Sequence, residues 1–214
     1  MDNQHQKDKL HFQIERIAFF SDAVIAIAVT LLIIEIKAPH IEHGTSFSEQ
    51  INQLKHLIPE FISFIISFAI IISQWVKHYE LFGSVINYDK KLISLNSFFL
   101  FATAIVPFST SYFAHNNSLE FYLPYIVYGL SLFLLTFLNY LIFRHITNEK
   151  NKLFDHSLTK VQLKWIGLDY LLFPTGIIAG LLFGIISYKI GFITYILIMA
   201  FGVYINRQKK KNSR

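Results

Sequence analysis

The sequence contains no cysteine, which excludes a disulfide, a thiolate nucleophile and a cysteine-ligated metal. Charge is also scarce: charged residues make up 15% of the chain, against about 25% in an average soluble domain. The enzyme signatures H-E-x-x-H, G-x-S-x-G and G-x-x-x-x-G-K are absent as well. These absences argue against a water-soluble domain and against an enzyme, and no cofactor is expected.

Hydrophobic residues, by contrast, make up 53% of the 214 residues, and 22 of them are phenylalanine. About 20 consecutive apolar residues cross the ~30 Å hydrocarbon core of a bilayer as a helix. Long apolar runs of this kind predict an all-α, polytopic membrane protein that forms one unit over residues 1–214. Six transmembrane helices are predicted, at about 17–36, 58–76, 92–113, 121–143, 165–187 and 190–206.

The basic residues predict the topology of these helices. The net charge of +5 does not indicate a nucleic-acid partner, because the Lys and Arg residues lie between and after the apolar segments. Of the 19, sixteen fall on one side of the predicted membrane and three on the other. Since positive charge stays inside, both termini are expected in the cytoplasm. The first apolar segment is expected to be a retained helix and not a signal peptide.

Two short patterns have a structural interpretation. The stretch His40-Ile41-Glu42-His43 holds residues that ligate metals, but we interpret it as a solvated loop and expect no metal. Glycines four residues apart let helices approach closely in lipid. The fifth segment carries a double G-x-x-x-G pattern, which predicts helix packing within or between subunits through Gly176, Gly180 and Gly184.

The first apolar segment opens with the motif Arg16-x-x-x-Phe20-Ser21-Asp22. An aspartate so close to the hydrocarbon is costly and is usually paired. Arg16 lies a little under two turns earlier, so the two side chains point to different faces. Asp22 therefore needs donors from another helix, and Trp75 and His78 in the second segment are candidates. A structural role at the helix ends and a direct role in gating both remain open.

Beyond the motif, Ala23, Ile27, Thr30 and Ile34 fall on one narrow face at 100° per residue. We call this set the first-helix stripe; Asp22 lies well off it. Branched apolar residues with one hydroxyl are ordinary in helix packing, so the spacing alone does not indicate a pore.

The motif Arg16, Phe20, Ser21 and Asp22, placed at the start of helix one of a six-helix chain, resembles the transmembrane protein 175 family of potassium channels. The resemblance implies a pore lined by helix one without a T-V-G-Y-G carbonyl filter, a motif that this sequence also lacks. It implies an aliphatic constriction at Ile27, a threonine ring at Thr30 and a further constriction at Ile34. Because this chain has one six-helix unit, the resemblance implies a homotetramer that conducts potassium ions.

The sequence also leaves two alternative functions open. A secondary cation or proton transporter usually shows internal repeats and charges at mid-membrane depth, and neither is evident in the sequence. A non-conducting assembly subunit, held by the helix-five glycines, is the other alternative. The expected partners are other copies of the chain, the lipid bilayer and potassium ions. The expected location is a bacterial plasma membrane.

Overall fold

The computed structural model describes residues 2–116, 122–155 and 158–186, and these fold as a bundle of long helices. Five helical segments in this part of the chain are long and apolar enough to cross a membrane, so the chain is a multi-pass membrane protein. The α-helices are α1 (Asp2–Ile34), α2 (Phe47–His56), α3 (Ile58–Phe82), α4 (Lys90–His115), α5 (Tyr122–Ile146) and α6 (Lys160–Ile186), and a 3₁₀ turn covers Glu149–Asn151.

The first five predicted helices correspond to α1, α3, α4, α5 and α6. The predicted sixth helix, at 190–206, lies outside the described residues. Several bounds differ from the prediction: α3 continues to Phe82 beyond the predicted end at 76, and α6 begins at Lys160 before the predicted start at 165. Helix α1 already begins at Asp2, because the Gln, Lys, Glu and Leu residues before the apolar run are good helix formers and most of them are polar. Helix α2 forms between the first two predicted spans, where no helix was predicted.

Side-chain caps define where several helices begin. Ser46 and Glu49 form a reciprocal capping box at α2: the Glu49 N–H donates to the Ser46 hydroxyl, and the Ser46 N–H donates to the Glu49 carboxylate. Asp89 caps α4 by accepting from the Leu92 N–H at 2.7 Å. Each cap satisfies a backbone donor that the helix itself leaves unpaired.

Helix α4 lies at the centre of the bundle, where it packs against α1, α3 and α5, and α6 packs against α5. Its buried face carries Leu92, Phe99 and Val106, which meet Leu135 and Ile142 of α5 in the same apolar cluster. In a membrane such packing is held by close van der Waals contact and by hydrogen bonds, since lipid is as apolar as the core.

The interface between α5 and α6 depends on small residues. Tyr125 of α5 donates to the Gly180 carbonyl at 2.8 Å, and its ring lies over Gly184, where an added Cβ would come within 2.6 Å of the Tyr125 oxygen. At Gly180 an added Cβ would meet nothing within 4 Å. Gly176 is buried on the same helix. At Gly184, in contrast to Gly180, the neighbouring helix therefore leaves no room for a side chain.

Two connecting loops join each other at one end of the bundle. The Ile86 N–H donates to the Leu153 carbonyl at 2.9 Å, and His145 pairs with Asp89 at 2.9 Å. Partial burial tends to raise the pKa of Asp89, but hydrogen bonds from Leu92 and His145 outweigh it and hold the pKa below its ordinary value. The loop before α4 is thereby tied to the loop that follows α5.

Candidate functional site

The first-helix stripe lies on an open face of α1. All four of its residues are exposed in the single chain, and Ile27 and Ile34 have 59% and 67% of their surface accessible. The Thr30 hydroxyl donates to the Ile27 carbonyl at 2.8 Å. Its proton is therefore committed to the helix backbone, and the oxygen presents acceptor lone pairs to its surroundings.

The opposite side of α1 is held inside the bundle. Ser21, Ile25, Ala28 and Leu32 recur at helical spacing, and each is buried against α3 and α4. One side of α1 thus attaches the helix to its own chain, and the other side carries the stripe.

Asp22 is paired with a tryptophan of α3. The Trp75 Nε1–H donates to Asp22 Oδ1 at 2.8 Å, which supplies the interhelical donor that the carboxylate needs. Trp75 is one of the two partners that the sequence suggested for Asp22. The bond joins α1 to α3 one residue before the first-helix stripe begins.

His78, the other suggested partner, reaches α1 through an asparagine instead. Asn96 of α4 donates from Nδ2 to the Ser21 hydroxyl at 2.9 Å, and its Oδ1 lies 2.8 Å from His78 Nε2. Because a carboxamide oxygen can only accept a hydrogen bond, the His78 nitrogen is the donor to Asn96 Oδ1. The His78 ring also stacks on Phe82 and Phe99, with centroids 4.3 and 5.1 Å away. The result is a buried polar chain that crosses from α3 through α4 to α1.

The same turn of α3 makes an ion pair with α6. Lys77 Nζ lies 3.2 Å from Asp169 Oδ1 and donates to the Asp169 carbonyl at 2.8 Å, and both side chains are about nine-tenths buried. The Tyr170 hydroxyl donates to the Lys77 carbonyl at 2.7 Å. Lys77 lies one residue past the predicted end of the second helix at 76, but α3 continues to Phe82 and includes it. Asp169 lies within the predicted fifth helix.

Gln74 completes the set by bonding to α5. Asn139 Nδ2 donates to the Gln74 carbonyl at 3.0 Å and to its Oε1 at 3.1 Å, and both residues are buried. Within five residues of α3, four polar side chains therefore bond to four different helices. We call this set the polar turn of α3; its members are Gln74 (to α5), Trp75 (to α1), Lys77 (to α6) and His78 (to α4).

The other motif residues lie on the open side of α1. Arg16 and Phe20 are exposed, and the Arg16 guanidinium carbon lies 6.0 Å from the centroid of the Phe12 ring. Arg16 precedes Ala23 by seven residues, which is close to two full turns, so it lies on the side of the first-helix stripe. The expectation that Arg16 and Asp22 point to different faces agrees with this arrangement.

Sequence reasoning missed Asn96, Gln74, Asn139 and the Lys77–Asp169 pair. The available signal was a carboxamide or a charge within an otherwise apolar helix, because such groups are costly in lipid and seek partners. Spacing alone does not say which of them meet, since each pair joins residues far apart in the chain.

Of the loop residues with metal-binding side chains, His40 and Glu42 line a polar cleft beside α2. His40 and Glu42 face Glu49, Gln53 and His56 across a cleft of about 440 Å³. In the described part of the chain, no three His, Asp or Glu side chains converge as metal ligands.

Comparison with known proteins shows which family the first half of the chain resembles. The family model described as endosomal/lysosomal potassium channel TMEM175 matches residues 16–107. This range begins at Arg16 and includes Asp22, the polar turn of α3 and Asn96. The resemblance predicted from the motif is confirmed.

Three bacterial relatives are named potassium channels. Those of Chamaesiphon minutus and Streptomyces collinus are 37% and 35% identical over 99 residues, which is 46% of this chain and 48% and 47% of theirs. A relative from Chryseobacterium sp. is 30% identical over 122 residues, or 55% of this chain and 56% of its own. The chain spans about half the length of the relatives it matches.

Solved structures extend the likeness over most of the chain. A crystal structure of a lysosomal potassium-selective channel TMEM175 homologue from Chamaesiphon minutus matches with a TM-score of 0.73 and 25% identity, covering 91% of this chain and 98% of that one. A variant of the potassium channel MtTMEM175, bound to a nanobody–MBP fusion protein, matches with a TM-score of 0.59 and 22% identity over 92% and 93% of the two chains, which shows a shared fold.

Proposed function

Because the chain resembles the TMEM175 potassium channel family in its motif and its fold, we propose that it is a potassium-permeable cation channel whose pore is lined by α1 of several copies, four in a homotetramer. Residues 1–214 act as one channel subunit, with both termini in the cytoplasm. The observation that carries the proposal is the first-helix stripe. The positions at which the family resemblance implies pore residues are among those that α1 leaves exposed.

The proposed gate is apolar. A ring of Ile27 side chains narrows the pore, and Ile34 forms a second ring about two turns further along. Ions do not cross a dry apolar constriction cheaply, because they would lose their hydration shell without replacement. A small rotation or dilation of α1 would let water enter and open the path.

Thr30 lies between these two rings, and its hydroxyl oxygen is a ligand for a cation in the pore. Its hydroxyl proton is held by the Ile27 carbonyl at 2.8 Å, so the oxygen faces the path as an acceptor that can replace part of a cation's hydration shell. One side-chain oxygen per copy offers fewer fixed ligands than a carbonyl filter. Selectivity for potassium over sodium is therefore expected to be modest.

The test is cation flux into liposomes that contain the purified protein, driven by a potassium gradient with a proton ionophore. We expect flux with potassium, less with sodium, and a severalfold increase with Ile27→Asn, because an amide side chain wets the constriction. Ile33→Asn is the matched control, since Ile33 is also exposed on α1 but lies roughly 90° from the stripe. Equal increases from both variants, or none from Ile27→Asn, would remove Ile27 as the gate.

The same assay separates the alternatives. The buried Lys77–Asp169 pair is the kind of intramembrane charge through which a transporter couples its substrate to protons. Flux that saturates with substrate concentration and is lost in Asp169→Asn would favour the transporter. No flux of either cation, from protein that is folded and oligomeric, would leave the non-conducting assembly subunit.

A further inference from the structure

Helix α2 has one apolar face that is exposed in the part of the chain that the structure describes. Phe47, Ile51 and Leu54 recur at helical spacing, and Phe47 and Leu54 have 77% and 53% of their surface exposed. The opposite face of the helix carries Glu49, Asn52, Gln53 and His56, which line the polar cleft beside α2. The polar face thus points to the protein, and the apolar face points away from it.

This apolar face continues onto a membrane-spanning helix. Ile58, Ile62 and Ile65 of α3 follow Leu54 at the same spacing, and all three are exposed. On a helix that is long and apolar enough to cross the bilayer, such an isoleucine row faces lipid. Phe47, Ile51 and Leu54 are therefore a continuation of a lipid-facing surface and not a separate patch.

Length shows that α2 does not cross the hydrocarbon as a straight extension of α3. The 25 residues of α3 already span roughly 37 Å, more than the ~30 Å hydrocarbon core. The junction also interrupts the helix: the Leu57 N–H bonds to the Leu54 carbonyl in a tighter turn, and Pro59 has no N–H to donate. A broken hydrogen-bond ladder is where a helix can change direction.

We propose that α2 is an interfacial helix, with Phe47, Ile51 and Leu54 inserted into the headgroup boundary of the bilayer. Its polar face stays in water above the cleft. Lys55, one turn after Ile51 at the edge of the apolar face, lies where its stem can cover lipid while its ammonium reaches the headgroups. The occupant of this face is lipid, and a second copy of the chain is the rival occupant that the test excludes.

The cysteine-free sequence makes the test direct, because one introduced cysteine carries the only label. Phe47→Cys is spin-labelled in full-length protein reconstituted into phosphatidylcholine–phosphatidylglycerol vesicles. Power saturation then compares collisions with oxygen, which concentrates in lipid, and with a nickel chelate, which stays in water. The matched control is Asn52→Cys, on the polar face of the same helix.

We expect oxygen collisions to exceed nickel collisions at position 47 and the order to reverse at position 52. Leu54→Cys repeats the test if Phe47→Cys does not fold. Nickel excess on both faces would overturn the proposal by placing the helix in water. Low collisions with both reagents at position 47, with dipolar broadening between labels, would overturn it in favour of a second copy. None of these outcomes depends on whether the protein conducts ions.

Discussion

The two sides of α1 differ in chemistry and in what they contact. The first-helix stripe is apolar apart from Thr30, and all four of its residues are exposed in the part of the chain that the structure describes. The other side carries Ser21 and Asp22, which bond to Asn96 and Trp75. A helix attached through only one side leaves its other side for contacts that a single chain does not supply.

The difference also separates two kinds of residue. Groups on the attached side hold their partners with directional bonds in a medium without competing water, so losing one should reduce stability. Groups on the stripe have few contacts within the chain, so changing one should leave stability almost unaltered and change conduction. The predictions below test this division, from the largest expected effect to the smallest.

The largest loss is expected from breaking the Lys77–Asp169 pair. Asp169→Leu would leave the Lys77 ammonium in a buried site without its carboxylate, and we expect the free energy of unfolding to fall by about 3–5 kcal/mol. Thermal denaturation in detergent measures this. Adding Lys77→Met should recover much of the loss, because an apolar pair of similar size needs no desolvated charge. A double variant as unstable as Asp169→Leu would contradict the pairing.

Asn96→Leu tests the polar chain from His78 to Ser21. The leucine has a similar volume but offers no acceptor to His78 and no donor to Ser21, so we expect a loss of about 2–3 kcal/mol in the same measurement. Ser97→Ala is the control, since Ser97 is exposed and bonds only within its own helix, to the Ile93 carbonyl. Equal melting temperatures for the two variants would show that the hydrogen bonds from His78 through Asn96 to Ser21 contribute no stability.

Gly184→Ala should weaken the contact of α5 with α6. The new methyl group would collide with Tyr125, and overpacking of this kind costs about 1–2 kcal/mol. Gly180→Ala is the matched control, because its added Cβ meets open space on the same helix. If the two variants unfold alike, the α5–α6 interface is not limited by Gly184.

Thr30→Ala is expected to have the smallest effect on folding. The free energy of unfolding should stay within about 0.5 kcal/mol of the parent, as for other exposed positions. The preference for potassium over sodium should nevertheless fall, as measured by reversal potentials in mixed salts. Thr175→Ala is the control, since Thr175 is an exposed threonine of α6 with the same type of intrahelical bond. Unmoved reversal potentials would exclude Thr30 as the selectivity ring.

The membrane spans and the first-helix stripe were predictable because they depend on the order of residues within one continuous segment of the chain. The lengths of the apolar runs locate α3, α4, α5 and α6. The helical period puts Ala23, Ile27, Thr30 and Ile34 on one side of α1. Helix α2 was missed because its apolar residues alternate with polar ones in a short segment, and its capping box of Ser46 and Glu49 was not recognised.

The sequence by itself determined that this is a multi-pass helical membrane protein with a motif aspartate at the start of its first span, because apolar length and periodicity are properties of the chain alone. Only the tertiary structure decided that Asp22 bonds to Trp75, that His78 reaches α1 through Asn96, and that Lys77 meets Asp169. The physical reason is that a buried polar group needs a partner but does not specify which one. The packing of α3 against four other helices makes that choice.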